Sequence, residues 1–227
     1  MAYKLTRALG RTLSGLGLAA AMALPNSDAA LAHPHVWVTA RTELVFNGPK
    51  LDSIRHVWQF DEAFTAFAIQ GLDTDEDGNL TQEELQPLAK VNIESMKEFG
   101  YFTFVGVGDV EPEFKMPTEY WLDFNNGLLT LFYTLPLQTP IAPGSEELTV
   151  EVFDPTFFVE FEMIEKEPVT VSNLPDSCKM AFERPKELES DVASALAEFP
   201  SSVKELPEEF MTVTETLANK ATITCGR

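Results

Sequence analysis

Basic residues are scarce in this sequence, and their scarcity limits what the protein can bind. The 227 residues contain 16 Lys and Arg against 36 Asp and Glu, which gives a formal net charge of −20 at pH 7. A surface of that sign repels the phosphate backbone of nucleic acids and anionic lipid, so neither is an expected partner. Such a surface concentrates cations instead.

Cysteine is also rare, since the chain holds only Cys178 and Cys225. The wide separation of the two lacks the close C-x-x-C spacing of a thiolate metal site or redox site. In an exported protein, an even pair of cysteines most simply forms a disulfide bond. The sequence therefore predicts a disulfide between Cys178 and Cys225, with a two-thiolate site as the alternative.

Long apolar runs are missing except near the start of the chain. Residues 13–24, LSGLGLAAAMAL, form an apolar run that follows three basic residues and precedes the small-residue pattern ALA at 30–32. This order is typical of a secretory signal peptide. A membrane anchor is the alternative, but the run is shorter than the ~20 residues that span a bilayer. We predict a signal peptide over residues 1–32, a periplasmic or secreted location after cleavage, and no membrane span in the mature chain.

Strand patterns dominate the predicted mature chain, residues 33–227. Alternating segments rich in β-branched and aromatic residues predict strands at 35–46, 51–60, 101–107, 119–124, 128–135, 147–153, 157–164, 178–183 and 220–225. Helical periodicity predicts a helix–loop–helix at about 61–99 and an acidic helical stretch at 186–198. The sequence therefore predicts a single α+β domain. It is mainly an antiparallel β-sandwich with an EF-hand-like helix–loop–helix inserted after the second strand.

The segment DTDEDGNLTQEE, residues 73–84, has the ligand spacing of a calcium-binding EF-hand loop. Calcium prefers about six to eight oxygen ligands, and a twelve-residue loop wraps them around one ion. Oxygen-bearing residues stand at all the required positions, namely Asp73, Asp75, Asp77, Asn79, Thr81 and Glu84. Gly78 lies where the loop has to turn sharply, and Leu80 fits the apolar position between the flanking helices. The spacing predicts a calcium site, with an acidic surface turn as the alternative.

A second calcium loop is the feature that would favour a sensor, because sensors pair two loops and expose an apolar groove on binding. The one other candidate, DFNNGLLT at 123–130, lacks the ligand spacing and falls in a predicted hairpin. Exported modules bind calcium weakly, at about 10⁻⁴–10⁻³ M, and become more rigid. We therefore expect the loop to be a structural support.

All three histidines lie near the start of the mature chain, at His33, His35 and His56. If strands 35–46 and 51–60 pair as a hairpin, His56 approaches the other two. Imidazoles, together with the α-amine that signal cleavage leaves on His33, suit zinc, nickel, cobalt or copper. The sequence predicts a transition-metal site at these histidines. The alternative is that they are partly buried strand residues satisfied by hydrogen bonds.

Several further segments resemble a known family. They are AHPHVWV (32–38), FDEAFTAF (60–67), KEFGYFTFV (97–105), DPTFFVEF (154–161) and LANKATITC (217–225). With the loop at 73–84, they make nearly the whole mature chain resemble domain-of-unknown-function family 1007. The resemblance implies a periplasmic component of an uncharacterised ABC-type transport system, associated with nickel/cobalt-type efflux permeases. It supplies no catalytic residues.

Three functions fit these features. We expect a periplasmic metal-binding accessory protein that buffers or delivers a divalent cation of the nickel, cobalt or zinc type to an inner-membrane metal permease. The alternatives are a copper histidine-brace enzyme of oxidative chemistry and a calcium-stabilised binding module outside the cytoplasm. No serine has a nucleophile-elbow pattern, and the sequence predicts that the protein is not an enzyme.

Overall fold

The alternating sequence after residue 35 forms a long β-hairpin, in which successive side chains point to opposite faces. Strand β1 is Val36–Asn47 and strand β2 is Lys50–Phe60, and the turn between them has Gly48 at a left-handed φ of 57°. The computed structural model describes residues 34–196, 198–199 and 206–226. The predicted signal peptide and His33 lie outside these residues.

Two helices and a short 3₁₀ segment follow the hairpin. They are α1 at Glu62–Ala68, α2 at Gln82–Met96 and the 3₁₀ segment at Lys97–Phe102. The strands that come next are β3 (Thr103–Val107), β4 (Tyr120–Asn125), β5 (Leu128–Ile141), β6 (Leu148–Val152), β7 (Val159–Met163), β8 (Val169–Ser172), β9 (Cys178–Glu183) and β10 (Asn219–Cys225). Between β9 and β10 lie helices α3 (Ser190–Leu196) and α4 (Glu208–Glu215).

The strands form two sheets. The larger sheet has the order β4–β5–β2–β1–β7, with β8 also paired to β1, and the smaller has the order β3–β6–β10–β9. Pairing is antiparallel except where β1 meets β7 and β8, which run parallel to it. The predicted α+β class with mainly antiparallel strands is confirmed.

The two sheets share hydrophobic clusters. Leu44 and Ile54 of the larger sheet are in one cluster with Val150 and Ile223 of the smaller. A second cluster surrounds Trp58 and takes in the apolar face of α2, namely Leu85, Ala89, Ile93 and Met96. Shared clusters between two sheets are what a β-sandwich requires. Helix α2 is therefore part of the core.

The two cysteines are directly opposite each other on β9 and β10 and form a disulfide bond. This confirms the predicted pairing of Cys178 with Cys225. The bond closes a segment with a sequence separation of 47, which contains α3 and α4. Within the described residues, no helix combines the length and the apolar character that a membrane crossing needs.

Candidate metal centre

Helix α1 leads into the predicted calcium loop and is fixed at its first turn. Asp61 is its N-cap residue, and its Oδ1 accepts a hydrogen bond from Phe64 N at 2.9 Å. The Oδ2 atom of Asp61 accepts from Trp37 N of β1, also at 2.9 Å. One helical turn on, the buried Thr65 Oγ1 accepts from Leu129 N at 3.2 Å. These bonds attach α1 to the larger sheet.

Helix α2 begins where the loop ends, with a capping box at its first turn. Thr81 accepts from Glu84 N, while the carboxylate of Glu84 accepts from Thr81 N at 3.0 Å. Each partner satisfies a backbone donor that the first helical turn leaves open. Leu80, just before the cap, packs against the cluster around Trp58. The end of the loop is thus anchored to the core.

Three predicted ligands converge in space. One carboxylate oxygen each from Asp73, Asp75 and Glu84 lie within 4.8 Å of one another, with Asp75 exposed and the other two half-buried. Calcium holds its oxygen ligands at about 2.3–2.6 Å, so two ligands of one ion lie at most about 5 Å apart. The three oxygens are therefore close enough to share a single ion.

The backbone of the loop folds around the same carboxylates. Gly78 has a φ of 83° and donates from its N–H to Asp73 Oδ2 at 3.0 Å. The N–H of Asp77 donates to Asp73 Oδ1 and to Asp75 Oδ1, both at 3.2 Å. Among the described residues, the converging group does not include Asp77, whose Oδ1 accepts from Asn79 N at 2.7 Å. The hydrogen bonds at the Gly78 turn thus orient two of the predicted ligands, Asp73 and Asp75.

Glu84 is the most strongly hydrogen-bonded carboxylate of the loop. Its Oε1 accepts from the backbone N–H and the hydroxyl of Thr74 at 2.8 and 2.9 Å. Its Oε2 accepts from the hydroxyl of Thr81 at 2.8 Å in addition to the capping bond. The backbone N–H of Thr81 first, and then that of Thr74, lower the pKa of Glu84 from 4.5 to about 2. Glu84 is therefore ionised throughout the physiological range, as a calcium ligand must be.

His56 has a different environment from the one that a metal ligand needs. It is 1% exposed, its Nδ1 lies 3.2 Å from Thr42 Oγ1, and its Nε2 lies 3.2 Å from Thr103 Oγ1. The Thr103 hydroxyl donates to the carbonyl of Tyr101 at 2.9 Å, so it accepts from His56 Nε2–H. Thr42 then donates to Nδ1, and the ring is neutral. Burial lowers the pKa of His56 to about 3, which agrees with this assignment.

The structure does not bring His56 to His35. The predicted hairpin forms, but its register places His56 opposite Thr42, seven positions along β1 from His35. At about 3.3 Å per residue, the separation along the strand is roughly 23 Å. His35 is half-buried and lies with its ring centroid 4.8 Å from that of Phe158. For His56, the structure fits the alternative of a buried strand residue satisfied by hydrogen bonds.

Asp154 is a carboxylate outside the loop, at the turn before β7. It is 4% exposed and accepts four hydrogen bonds, from the N–H and hydroxyl of Thr156 and from the N–H groups of Phe158 and Val159. Burial raises the pKa of Asp154, and these hydrogen bonds oppose the shift. Both oxygens therefore hold the turn that enters β7.

Comparison with known proteins gives relatives and a family. A protein described as uncharacterized from Haemophilus influenzae is 23% identical over 152 residues, which are 66% of this chain and 71% of that protein. A protein of Spirochaeta aurantia, described as an uncharacterized 15.5 kDa protein in the trpE 3′ region, is 26% identical over 99 residues, or 44% of this chain and 70% of that protein. The sequence model of a family described as "Protein of unknown function (DUF1007)" matches residues 18–225.

Proposed function

Because this chain belongs to the DUF1007 family, whose description assigns no activity, we propose its function from its own residues. It is an extracytoplasmic metal-binding accessory protein in which residues 73–84 form a calcium-binding loop of the EF-hand type. The observation that carries this proposal is the convergence of oxygens from Asp73, Asp75 and Glu84 within 4.8 Å. That convergence occurs in a loop with EF-hand ligand spacing, between two helices.

Calcium is the ion that fits this ligand set. The converging atoms are all carboxylate oxygens, which suit hard cations, whereas zinc, nickel and copper favour nitrogen or sulfur ligands. Magnesium demands near-ideal octahedral geometry and keeps several of its waters, while calcium accepts more ligands in flexible arrangements. The twelve-residue spacing of 73–84 offers ligands for the larger coordination shell.

The loop acts as a support in this proposal. A calcium sensor opens its helix pair and exposes an apolar groove. Here the apolar face of α2 is already in the core, because Leu85, Ala89 and Ile93 are each no more than 1% exposed. Opening the helix pair would remove that face from its cluster. The carboxylates of the loop repel one another without a cation, so calcium binding stabilises the folded state.

A comparison of two neighbouring Glu→Gln variants tests the calcium loop. Glu84→Gln removes a charged ligand and retains a residue that completes a capping box. Glu83→Gln is the matched control, since it removes the same charge from the same helical turn at an exposed position outside the converging group. Isothermal titration with calcium and thermal melting with and without chelator are measured for both.

We expect wild-type protein and Glu83→Gln to melt higher in calcium. At a hundredfold excess over Kd the gain is about 2.7 kcal/mol, or roughly 5–10 °C for a chain of this size. Glu84→Gln should lose most of this gain. Equal melting of the wild type in chelator and in millimolar calcium would show that the loop is not a calcium support.

A transport role is the second part of the proposal, and it comes from the family resemblance. We infer that a nickel-, cobalt- or zinc-type cation is exchanged at His33 and His35, with an inner-membrane metal permease as partner. His56 is excluded from this site because threonine hydroxyls engage both of its nitrogens. His35 lies two residues from His33, immediately precedes β1 and is half-buried.

Metal analysis of untagged mature protein tests this second part. A variant with both His33→Ala and His35→Ala should lose bound zinc, nickel, cobalt or copper and keep calcium, whereas Glu84→Gln should show the reverse. If calcium alone is found and the double variant does not alter it, the protein is a calcium-stabilised binding module. Peroxide formation by the copper-loaded protein with a reductant, above that of free copper, would favour the histidine-brace enzyme.

A further inference from the structure

A cavity of about 320 Å³ lies beside α1 and α2, within the range of about 300–1,000 Å³ that small-molecule sites occupy. Its walls come from β1, β2, both helices, the 3₁₀ segment, the turn before β7 and β7 itself. The lining is mainly aliphatic and aromatic, and includes Val38, Trp58, Phe60, Phe64, Met96 and Phe99. This composition is that of a binding pocket for an apolar body.

Two nitrogen donors in the lining lack partners. Asn92 Nδ2 and Trp58 Nε1 are buried, and neither has a hydrogen-bond partner among the described residues. Trp58 is 1% exposed, so water does not hydrate its indole N–H. A buried donor without a partner is costly for the folded state. The amide of Asn92 can rotate about its side-chain bonds, and an acceptor oxygen on a bound molecule would satisfy it.

The backbone around the cavity is strained at non-glycine residues. Tyr101 and Phe102 have φ values of 57° and 51°, and Phe102 lines the cavity. Phe157 has a φ of 56° between two lining residues, Thr156 and Phe158. Bulky residues rarely adopt this left-handed region, and such outliers cluster at ligand-binding sites. Two separate walls of the cavity are therefore held in an unfavourable backbone conformation.

The charge of the protein selects against anionic ligands. The chain has a formal net charge of −20, and Asp154 contributes a carboxylate to the lining. Both oxygens of Asp154 already accept two hydrogen bonds each, so they are engaged by the turn.

We propose that this cavity binds a small, uncharged, mainly apolar molecule that carries one hydrogen-bond acceptor. This site lies outside the calcium loop, and the proposal does not depend on calcium binding.

The uncharged fluorescent ketone prodan is a suitable probe, because its naphthalene body is apolar and its carbonyl accepts a hydrogen bond. We expect saturable binding to one site on the full mature protein, with emission shifted to the blue. Ser95→Phe introduces a large ring at an exposed lining position and should weaken binding at least roughly tenfold, which is the effect of losing about 1.4 kcal/mol. Val91→Phe adds the same ring to α2 at an exposed position outside the lining and should bind as the wild type does.

Further measurements test the hydrogen-bond donor and the charge preference of the cavity, and separate this proposal from the metal proposal. Asn92→Leu should weaken prodan binding roughly fivefold and shift its emission further to the blue, because one neutral hydrogen bond is lost. Anilinonaphthalene sulfonate, an anionic probe, should bind more weakly than prodan. The titrations are run in calcium and in chelator, so a failure of the calcium loop is seen separately. Absence of saturable prodan binding, unchanged binding by Ser95→Phe or by Asn92→Leu with both variants folded, or tighter binding of the sulfonate would overturn the proposal.

Discussion

The acidic loop and His56 both belong to metal sites that the sequence predicts, and the structure satisfies their polar groups in opposite ways. The loop gathers charged oxygens from residues 73–84, and its ligands remain half-buried or exposed. The cluster gathers neutral groups from three strands, Thr42, His56 and Thr103, and excludes water. The loop keeps three carboxylate oxygens close enough to share one ion, whereas the cluster uses its donors and acceptors internally.

This difference shows why residue type alone does not identify a metal site. Imidazole is a good ligand for transition metals, yet His56 offers no accessible nitrogen. Carboxylates are ordinary surface groups, yet those of the loop converge because the turn at Gly78 and the start of α2 orient them. The structural context therefore decides which polar groups are available to an ion and which are used within the fold.

The largest expected effect is the loss of the buried cluster. His56→Ala removes a large ring, takes away the partner of the buried Thr42 hydroxyl and removes one of the hydrogen bonds of Thr103, so we expect a loss of about 3–4 kcal/mol in the free energy of unfolding. Gln59→Ala, at an exposed position on the same strand, should change it by less than about 0.5 kcal/mol. Urea denaturation in chelator measures both. A loss below 1 kcal/mol for His56→Ala would mean that the cluster does not hold the sheets.

The second prediction concerns independence of the two regions. Among the residues that the structure describes, they share no hydrogen-bond partner, so calcium should stabilise His56→Ala and the wild type by the same increment, to within about 0.5 kcal/mol. The increment itself is about 2.7 kcal/mol at a hundredfold excess of calcium over Kd. Denaturation of both proteins with and without calcium gives the comparison. A calcium increment that disappears in His56→Ala would show that the loop and the cluster are coupled.

Acid should act first on the His56 cluster and then on the loop, in windows of pH that overlap only between about 4.5 and 3. The pKa of His56 is lowered from 6.5 to about 3, so the unfolded chain takes up this proton first as the pH falls. Stability is therefore lost from about pH 6.5 toward 3, by about 1.4 kcal/mol per pH unit at most. The pKa of Glu84 is lowered from 4.5 to about 2. The hydrogen bonds to its carboxylate therefore stabilise the fold above pH 4.5, and this stabilisation is lost toward pH 2.

A pair of variants separates these windows. Between pH 6.5 and 4.5, His56→Gln should show a shallower loss of stability than the wild type, whereas Glu84→Gln in chelator should retain the full slope. Denaturation midpoints across this range provide the measurement. The assignment of the acid sensitivity to His56 would be wrong if His56→Gln followed the wild-type slope.

Local patterns of sequence predicted a large part of this fold. Strand β9 has the bounds that its alternation predicts, and the hairpin turn before β5 has Asn126 and Gly127 at left-handed φ, as the NNG sequence indicates. The capping box of Thr81 and Glu84 is also present. In each of these cases, the residues that determine the local structure are neighbours in the chain, so the local sequence leaves few other backbone conformations.

Features that depend on distant residues were not predictable in the same way. Strand β8 has only four residues, too few for alternation to show, and its parallel pairing with β1 is not encoded locally. The register that puts His56 opposite Thr42 depends on the position of the turn after β1. Phe67 shares a helical face with Phe64 by spacing, but it is 74% exposed. The cavity beside α2 is lined by seven separate parts of the chain, so no single segment of the sequence predicts it.

The smallest expected effect isolates the contribution of loop geometry to calcium binding. Gly78 and Gly144 both have left-handed φ, 83° and 62°, and a Cβ atom at either position would meet nothing within 4 Å. Alanine at either site should therefore cost a similar backbone strain, about 1–2 kcal/mol, with no steric clash. Of these two glycines, Gly78 is the one whose N–H donates to the carboxylate of a predicted ligand, Asp73. Gly78→Ala should therefore also weaken calcium binding in titration calorimetry, while Gly144→Ala should not. Equal calcium affinity in the two variants would mean that the turn at Gly78 supports the fold without orienting the ligands.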